Sequence, residues 1–399
     1  MLKQTIVTVI LCQAAALFGA AAWTPGAEIP DGGGDTVKVD VSLVYNSNSG
    51  KMYAAWADNS PGNEPYASIF DGTWTTSPIP MGASSPVTEN VNLAYDSATH
   101  DVYAVWGDQG GPQTPYFSVH NGASWSMAAA IPLGASNGVL NDVNIAYYAS
   151  ISRMIVAWTD SISTAPFFSS YNGMMWTTGS IALGASTGVN QDVTLAYDST
   201  GTRIFAAWTD SVTSGAYASR YDGMSWTTAA IPMGASSGAH GNIELAFDPT
   251  GNRMFAAWTD SVTHQPYFST FSSGSWSTAD TIPLGPSAGA FVDVFLAYNP
   301  SSNLMFAAWA NLGSQFPYFA TYNGTSWSTP EIISLGISSG AAYDVILAYH
   351  AGLNQVFAAW QDSGSGVPVW SQYVDSSSLT PRPPNFLRPD NRRPRIVSQ

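Results

Sequence analysis

Residues 192–232 read DVTLAYDSTGTRIFAAWTDSVTSGAYASRYDGMSWTTAAIP, and this stretch decides the fold. It divides into four short runs rich in β-branched and aromatic residues: Asp192–Asp198, Arg203–Asp210, Ala216–Tyr221 and Ser225–Pro232. Gly, Asn, Asp and Ser bound them, as turn residues bound strands. Between the third and fourth runs lies Asp222-Gly223, matched one copy earlier by Asn172-Gly173. Such pairs accept the positive φ angles of a tight hairpin. The stretch predicts four consecutive antiparallel strands.

The pattern repeats along the chain. An Ala/Val-Trp pair recurs at Trp56, Trp106, Trp158, Trp208, Trp258, Trp309 and Trp360, at intervals of 50, 52, 50, 50, 51 and 51 residues. A second tryptophan follows only six of them, at Trp74, Trp125, Trp176, Trp226, Trp276 and Trp327. Four strands repeated about every 50 residues are the mark of a β-propeller blade. The seventh copy has its first three strands, from Asp344, Gln355 and Val367, and then stops. Its missing Trp…Ile-Pro strand stands at the other end of the chain, at Trp23–Pro30. The expected fold is therefore all-β: a seven-bladed β-propeller of four-stranded blades, closed when the N-terminal strand joins the last blade. Closure of this kind removes an exposed sheet edge. Small residues such as Ala256-Ala257 in the second strands let neighbouring blades approach closely.

The flanks differ from the repeats. Residues 1–22 read as a signal peptide, with Lys3, a short apolar run and Gly19-Ala20-Ala21-Ala22 for cleavage. That run is too short for a membrane span, which takes about 20 apolar residues. Residues 23–375 form the propeller, and 376–399 a disordered Pro/Arg-rich tail. Cys12 is the only cysteine and leaves with the leader, so the mature chain has no disulfide. From Trp23 to Asp375, six Lys/Arg face twenty-six Asp/Glu, a net of about −20. With no basic stripe to neutralise phosphates, nucleic acid is excluded as a partner. The expected location is extracellular or in the cell envelope.

In a propeller, the strand 2–3 loops and the blade-to-blade connections share one face, and the 1–2 and 3–4 hairpins share the other. Two acidic positions recur on the first face. One lies two residues after each repeated Trp: Asp58, Asp108, Asp160, Asp210, Asp260, Asn311 and Asp362. The other precedes each first strand and forms an acidic ring at the channel mouth: Asp40, Asn90, Asp142, Asp192, Asn242, Asp293 and Asp344. Carboxylates accept sugar hydroxyls and ligate hard cations, but a calcium loop of the D-x-D-x-D-G kind is absent, so no cofactor is expected, Ca2+ being the one these positions would admit. The same residues can instead cap loop amides, and recurrence in every blade favours that scaffold role. Tyr66, Tyr116, Phe167, Tyr267 and Tyr318 open third strands beside the acidic loops. They offer either rings for a sugar's apolar face or packing between blades.

No catalytic motif emerges. Catalysis needs unlike groups converging on one centre, whereas these copies are nearly equivalent. His100, His120, His240, His264 and His350 share no repeat position and read as loop or surface residues. The hairpin Tyr322-Asn323-Gly324-Thr325-Ser326-Trp327 resembles the Asp-box hairpin of sialidase-like propellers, S-x-D-x-G-x-T-W. Gly324, Ser326 and Trp327 fall on its Gly, Thr and Trp, but the acidic position is displaced. The resemblance implies a structural hairpin. Sialidases also clamp their substrate with three arginines, and Arg153, Arg203 and Arg253 occupy equivalent hairpins that point outward side by side. The chain is similar as well to the secreted seven-bladed lectins of bacteria, in blade number and in endings such as Ile131-Pro132-Leu133-Gly134. That resemblance implies repeated sugar sites between blades and multivalent binding. The function expected is lectin-like glycan binding without catalysis. Its rivals are a sialidase-like glycosidase, with Glu64, Glu89, Glu244 and Tyr343 as channel-mouth candidates, and an adhesive envelope protein binding a surface protein. Oligomeric state is not legible.

Overall fold

The computed structural model describes residues 21–32, 36–60, 62–110 and 113–374. The expected leader and tail fall outside these, apart from Ala21 and Ala22. Seven antiparallel sheets follow one another along the chain. Blade four is representative: its strands are Thr194–Asp198, Arg203–Thr209, Ala216–Tyr221 and Trp226–Ala230, paired in that order. The first strand of each blade neighbours that of the next, and Ile346–His350 of blade seven neighbours Ser42–Asn46 of blade one. The ring is closed.

Closure comes from the N-terminus. Ala22–Trp23 and Ala27–Glu28 both pair antiparallel with Pro368–Val374, the third strand of blade seven. Trp23 is buried against Phe319 and Tyr373, and Ile29 is fully buried. Between the two short strands the chain meets the connection from blade six, where Gly26 donates to the Ser334 carbonyl at 2.9 Å and accepts from the Ile337 N–H at 3.1 Å. A Cβ on Gly26 or Gly336 would strike the opposing backbone, so both closing residues must be glycine.

The core lies between blades. Alternate residues of each second strand face the blade before and the blade after, so these strands are buried on both sides. The seven repeated tryptophans are 0–1% exposed. Five of the indoles lie over the third-strand ring paired with them, as Trp208 over Tyr217 at 6.3 Å and Trp258 over Tyr267 at 6.3 Å. Removing one such indole costs about 3–5 kcal/mol.

The 3–4 hairpins depart from the tight turn expected. In blades three and four Tyr171 pairs with Trp176 and Tyr221 with Trp226, leaving four-residue loops. Only the glycine takes a positive φ, 90° at Gly173 and 96° at Gly223. Asn172 and Asp222 instead accept two backbone N–H groups each through Oδ1. Blade five alone has the two-residue form, Ser273-Gly274, with both φ positive.

Candidate functional site

The outer acidic positions are fully committed to the loops. In blade four, Asp210 Oδ2 accepts from Ser186 Oγ at 2.8 Å and from the Thr187 N–H at 2.5 Å. Its Oδ1 accepts from the Val212 and Thr213 N–H groups at 3.1 and 2.7 Å, and from the Thr213 hydroxyl. Ser186 in turn accepts from the Trp208 indole at 3.0 Å. Trp, Ser and Asp thereby tie the incoming blade connection to the 2–3 loop. Asp160, Asp260 and Asp362 repeat the arrangement; in blade two Trp106 and Asp108 bind neighbouring serines, Ser84 and Ser85, and in blade six Asn311 donates to Ser287. Asp58 is buried as they are. The donated hydrogen bonds hold Asp160, Asp210, Asp260 and Asp362 below the usual carboxylate range, Asp260 at about 2, although burial alone would raise them.

The aromatic positions are packed too. Tyr66, Tyr116, Phe167, Tyr267 and Tyr318 are only 5–9% exposed. The structure thus places the outer acids in hydrogen-bonded loops and the third-strand aromatics in packed surroundings.

The second acidic ring encircles the axis as expected. The Asn90 N–H donates to Asp142, Asp142 to Asp192, Asp192 to Asn242, Asn242 to Asp293 and Asp293 to Asp344, over 2.8–3.3 Å. Asp40 donates to Asn90 and receives the Asp344 N–H, so the chain of bonds returns to its start. Asn90 and Asn242 each bridge the carboxylates on either side. Elsewhere carboxyl follows carboxyl, at Asp142–Asp192 and through Asp293, Asp344 and Asp40. Burial and these like charges push every aspartate of the ring up, Asp192 to about 6. Below the ring lies a cavity of about 290 Å³. Glu244 lines it, whereas Tyr343 is exposed. Among the described residues, no three His, Cys, Asp or Glu converge closely enough to hold a metal ion.

On the opposite face the structure shows clefts between blades that the sequence reading missed. One, of about 490 Å³, lies between the outer half of blade one and the 3–4 hairpin of blade two. Its walls include Lys51, Tyr53, Asp71, Ser77, His120 and Trp125. The corresponding cleft between blades six and seven, about 320 Å³, places Trp23 where Trp125 stands. A third, of about 540 Å³, separates blade seven from blade one and shares Lys51 and Asp71 with the first. Lys51 and Asp71 form an ion pair at 3.4 Å, half exposed, between these two clefts. His120 faces the Tyr53 hydroxyl at 3.3 Å, and burial lowers its pKa. Sequence scarcity was the available signal, since Lys38 and Lys51 are the only lysines after Lys3.

Two histidines correct the surface expectation: His120 and His350 are 4% and 3% exposed. His350 stands where other blades carry a turn-capping Asp or Asn, and accepts from the Leu353 N–H at 3.1 Å. The arginines do not converge. Arg203 and Arg253 pair with Asp198 and Asp248 of their own blades, at 2.8 and 3.0 Å. Each also lies over an aromatic ring of the next blade, Phe271 and Tyr322.

Among described residues no helix is long and apolar enough to cross a membrane. No protein-family model and no curated protein matches the chain. Solved structures do. A protein of unknown function from Dyadobacter fermentans aligns with 89% of this chain and 98% of its own, at 10% identity and TM-score 0.54. The lectin of Aleuria aurantia, a six-bladed propeller with a novel fucose recognition mode, aligns with 77% of this chain and 99% of its own, at 15% identity and TM-score 0.50. A Hadza microbial sialidase aligns with 87% of this chain and 68% of its own, at 12% identity and TM-score 0.51. The chain shares the propeller fold of lectins and sialidases.

Proposed function

We propose that the protein is an exported, multivalent glycan-binding propeller whose sugar sites are the clefts between blades. The observation that carries this reading is the recurrence of one cleft design at two junctions. At each, a tryptophan at one blade's outer edge, Trp125 in a hairpin and Trp23 in the N-terminal strand, faces the outer strands of the preceding blade. The volumes suit a mono- or disaccharide, and the walls combine aromatic carbon with hydroxyls and, in blade one, an ion pair. Repetition of modest sites gives avidity without new chemistry. The fold shared with a fucose-recognising lectin supports the class of ligand, and the leader-like residues 1–22 support export to where glycans are met.

The sialidase-like alternative is weaker, because Arg203 and Arg253 are bound within their own blades and face different junctions. A glycan array probed with the full chain, in calcium and again in chelator, tests the proposal. Binding to a defined sugar in both conditions is expected. A blank array in both would overturn it and favour a protein partner, and release of bound sugar by substrate-like turnover would favour the enzyme.

A further inference from the structure

The wall of the axial cavity breaks the sevenfold repetition. Two residues below each ring position, the blades contribute Ser42, Asn92, Asn144, Thr194, Glu244, Phe295 and Ile346 in turn. Three of the polar ones bind the next blade's backbone. Ser42 Oγ accepts from the Leu93 N–H at 3.2 Å, Asn92 Nδ2 donates to the Val143 carbonyl at 3.0 Å, and the Thr194 hydroxyl donates to the Ile243 carbonyl. Glu244 occupies the same station in blade five, and its side chain makes no hydrogen bond within the described residues. It is partly exposed and borders the cavity, so the cavity is what its carboxyl can meet.

The titratable groups acting on Glu244 are all acidic. Asp192 and Asp40 act on it, and it acts in turn on Asp293 and Asp344. The cation nearest the mouth, Lys38, donates instead to the Val87 and Thr88 carbonyls and acts on Glu89 and Asp142. A cavity walled by one sign of charge focuses its field on an entering cation. The carboxyls are too dispersed to ligate a metal ion together. Beyond Glu244 the wall turns apolar at Phe295 and Ile346, above leucines such as Leu245 and Leu296. Charge and hydrocarbon thus lie side by side.

We propose that the axial cavity binds a small organic cation, an ammonium group on a short hydrocarbon body, with Glu244 as its counter-charge and Phe295 and Ile346 against its carbon chain. This site is separate from the inter-blade clefts. In the empty cavity, burial and the neighbouring aspartates push Glu244 up to about 8, so it is neutral at pH 7. Seating an ammonium ion breaks the carboxyl O–H bond, sends that proton to solvent and leaves a carboxylate paired with N–H⁺. Binding at pH 7 should therefore release close to one proton.

The test is calorimetric titration of the full chain with n-butylamine hydrochloride at pH 7, in two buffers of different ionisation enthalpy. 1-Butanol and calcium chloride serve as comparison probes. One amine is expected to bind per chain with release of nearly one proton, and butanol and calcium should bind at least tenfold more weakly. Glu244→Gln should weaken the amine at least tenfold while leaving the glycan array unchanged. Equal binding of butanol, calcium binding in place of amine, or full affinity in E244Q would overturn the proposal. If E244Q fails to fold, wild-type proton release decides alone, and a value near zero overturns it.

Discussion

Asp210 and Asp192 belong to one blade, lie in loops on one face and are both buried, yet their carboxyls are driven in opposite directions. Asp210 receives three backbone N–H groups and three hydroxyls, and is held below the normal range. Asp192 receives the Asp142 N–H and the Asn242 amide, stands beside other carboxyls, and rises to about 6. Both side chains are hidden from solvent, but Asp192 lies deeper within the protein and receives fewer donors, and the two differences together set the opposite directions.

Both rings depend on closure, so the largest effect should come from breaking it. Deleting residues 21–30 removes Trp23 and Ile29 from the core and leaves Pro368–Val374 as an open edge. Scanning calorimetry should show Tm lower by roughly 10 °C, with aggregation. An unchanged monomeric melt would refute closure.

Next in size is the removal of an outer acid. Asp210→Ala leaves buried donors unpaired and should cost about 3–5 kcal/mol in urea unfolding. Asp210→Asn should cost only about 1–2 kcal/mol, because blade six already works with Asn311, whose side chain bonds Ser287, Gly313 and Ser314. Equal losses for both variants would mean that charge, and not donor matching, holds the loop.

The rings should also pull stability in opposite senses with pH. Asp160, Asp210, Asp260 and Asp362 have depressed pKa values, so their contribution is present above the unfolded value of about 3.9 and is lost as pH falls toward about 2, the Asp260 value. The axial carboxyls have raised values. Their contribution is complete below about pH 4 and is lost as pH rises through the folded values of about 6 for Asp192 and about 8 for Glu244. Tm should therefore peak at about pH 4–5 and decline toward pH 8. Asp192→Asn and Glu244→Gln should each flatten the alkaline limb while leaving the acid limb in place. A profile that rises to pH 8 would contradict the axial half of the comparison.

The smallest expected effect on stability is that of Lys51→Ala, below about 1 kcal/mol, since its ion pair with Asp71 is widely solvated. The same change should weaken glycan binding.

The strand order, the seven blades and the closing strand were legible because they rest on local patterns: the Ala-Trp repeat, Gly-bearing turns and the missing seventh Trp…Ile-Pro strand. The two acidic positions were legible as rings for the same reason. Their opposite chemistry was not, because it depends on donors from other segments, such as Ser186 on Asp210. The clefts were hidden more deeply. Lys51, Asp71 and Trp125 lie on three hairpins of two blades, and only packing brings them to one wall. Glu244 could be named as a singular acid, but its lack of a partner appears only beside Ser42, Asn92 and Thr194.

The account holds that sugar sites lie between blades and that the outer acids are architecture. One comparison tests both halves: glycan-array binding by the wild-type chain, Lys51→Ala and Asp210→Asn at equal folded concentration. Weakened binding by K51A with D210N unchanged is the result predicted. Unaltered binding by K51A together with loss in D210N would contradict it and return the sites to the acidic loops.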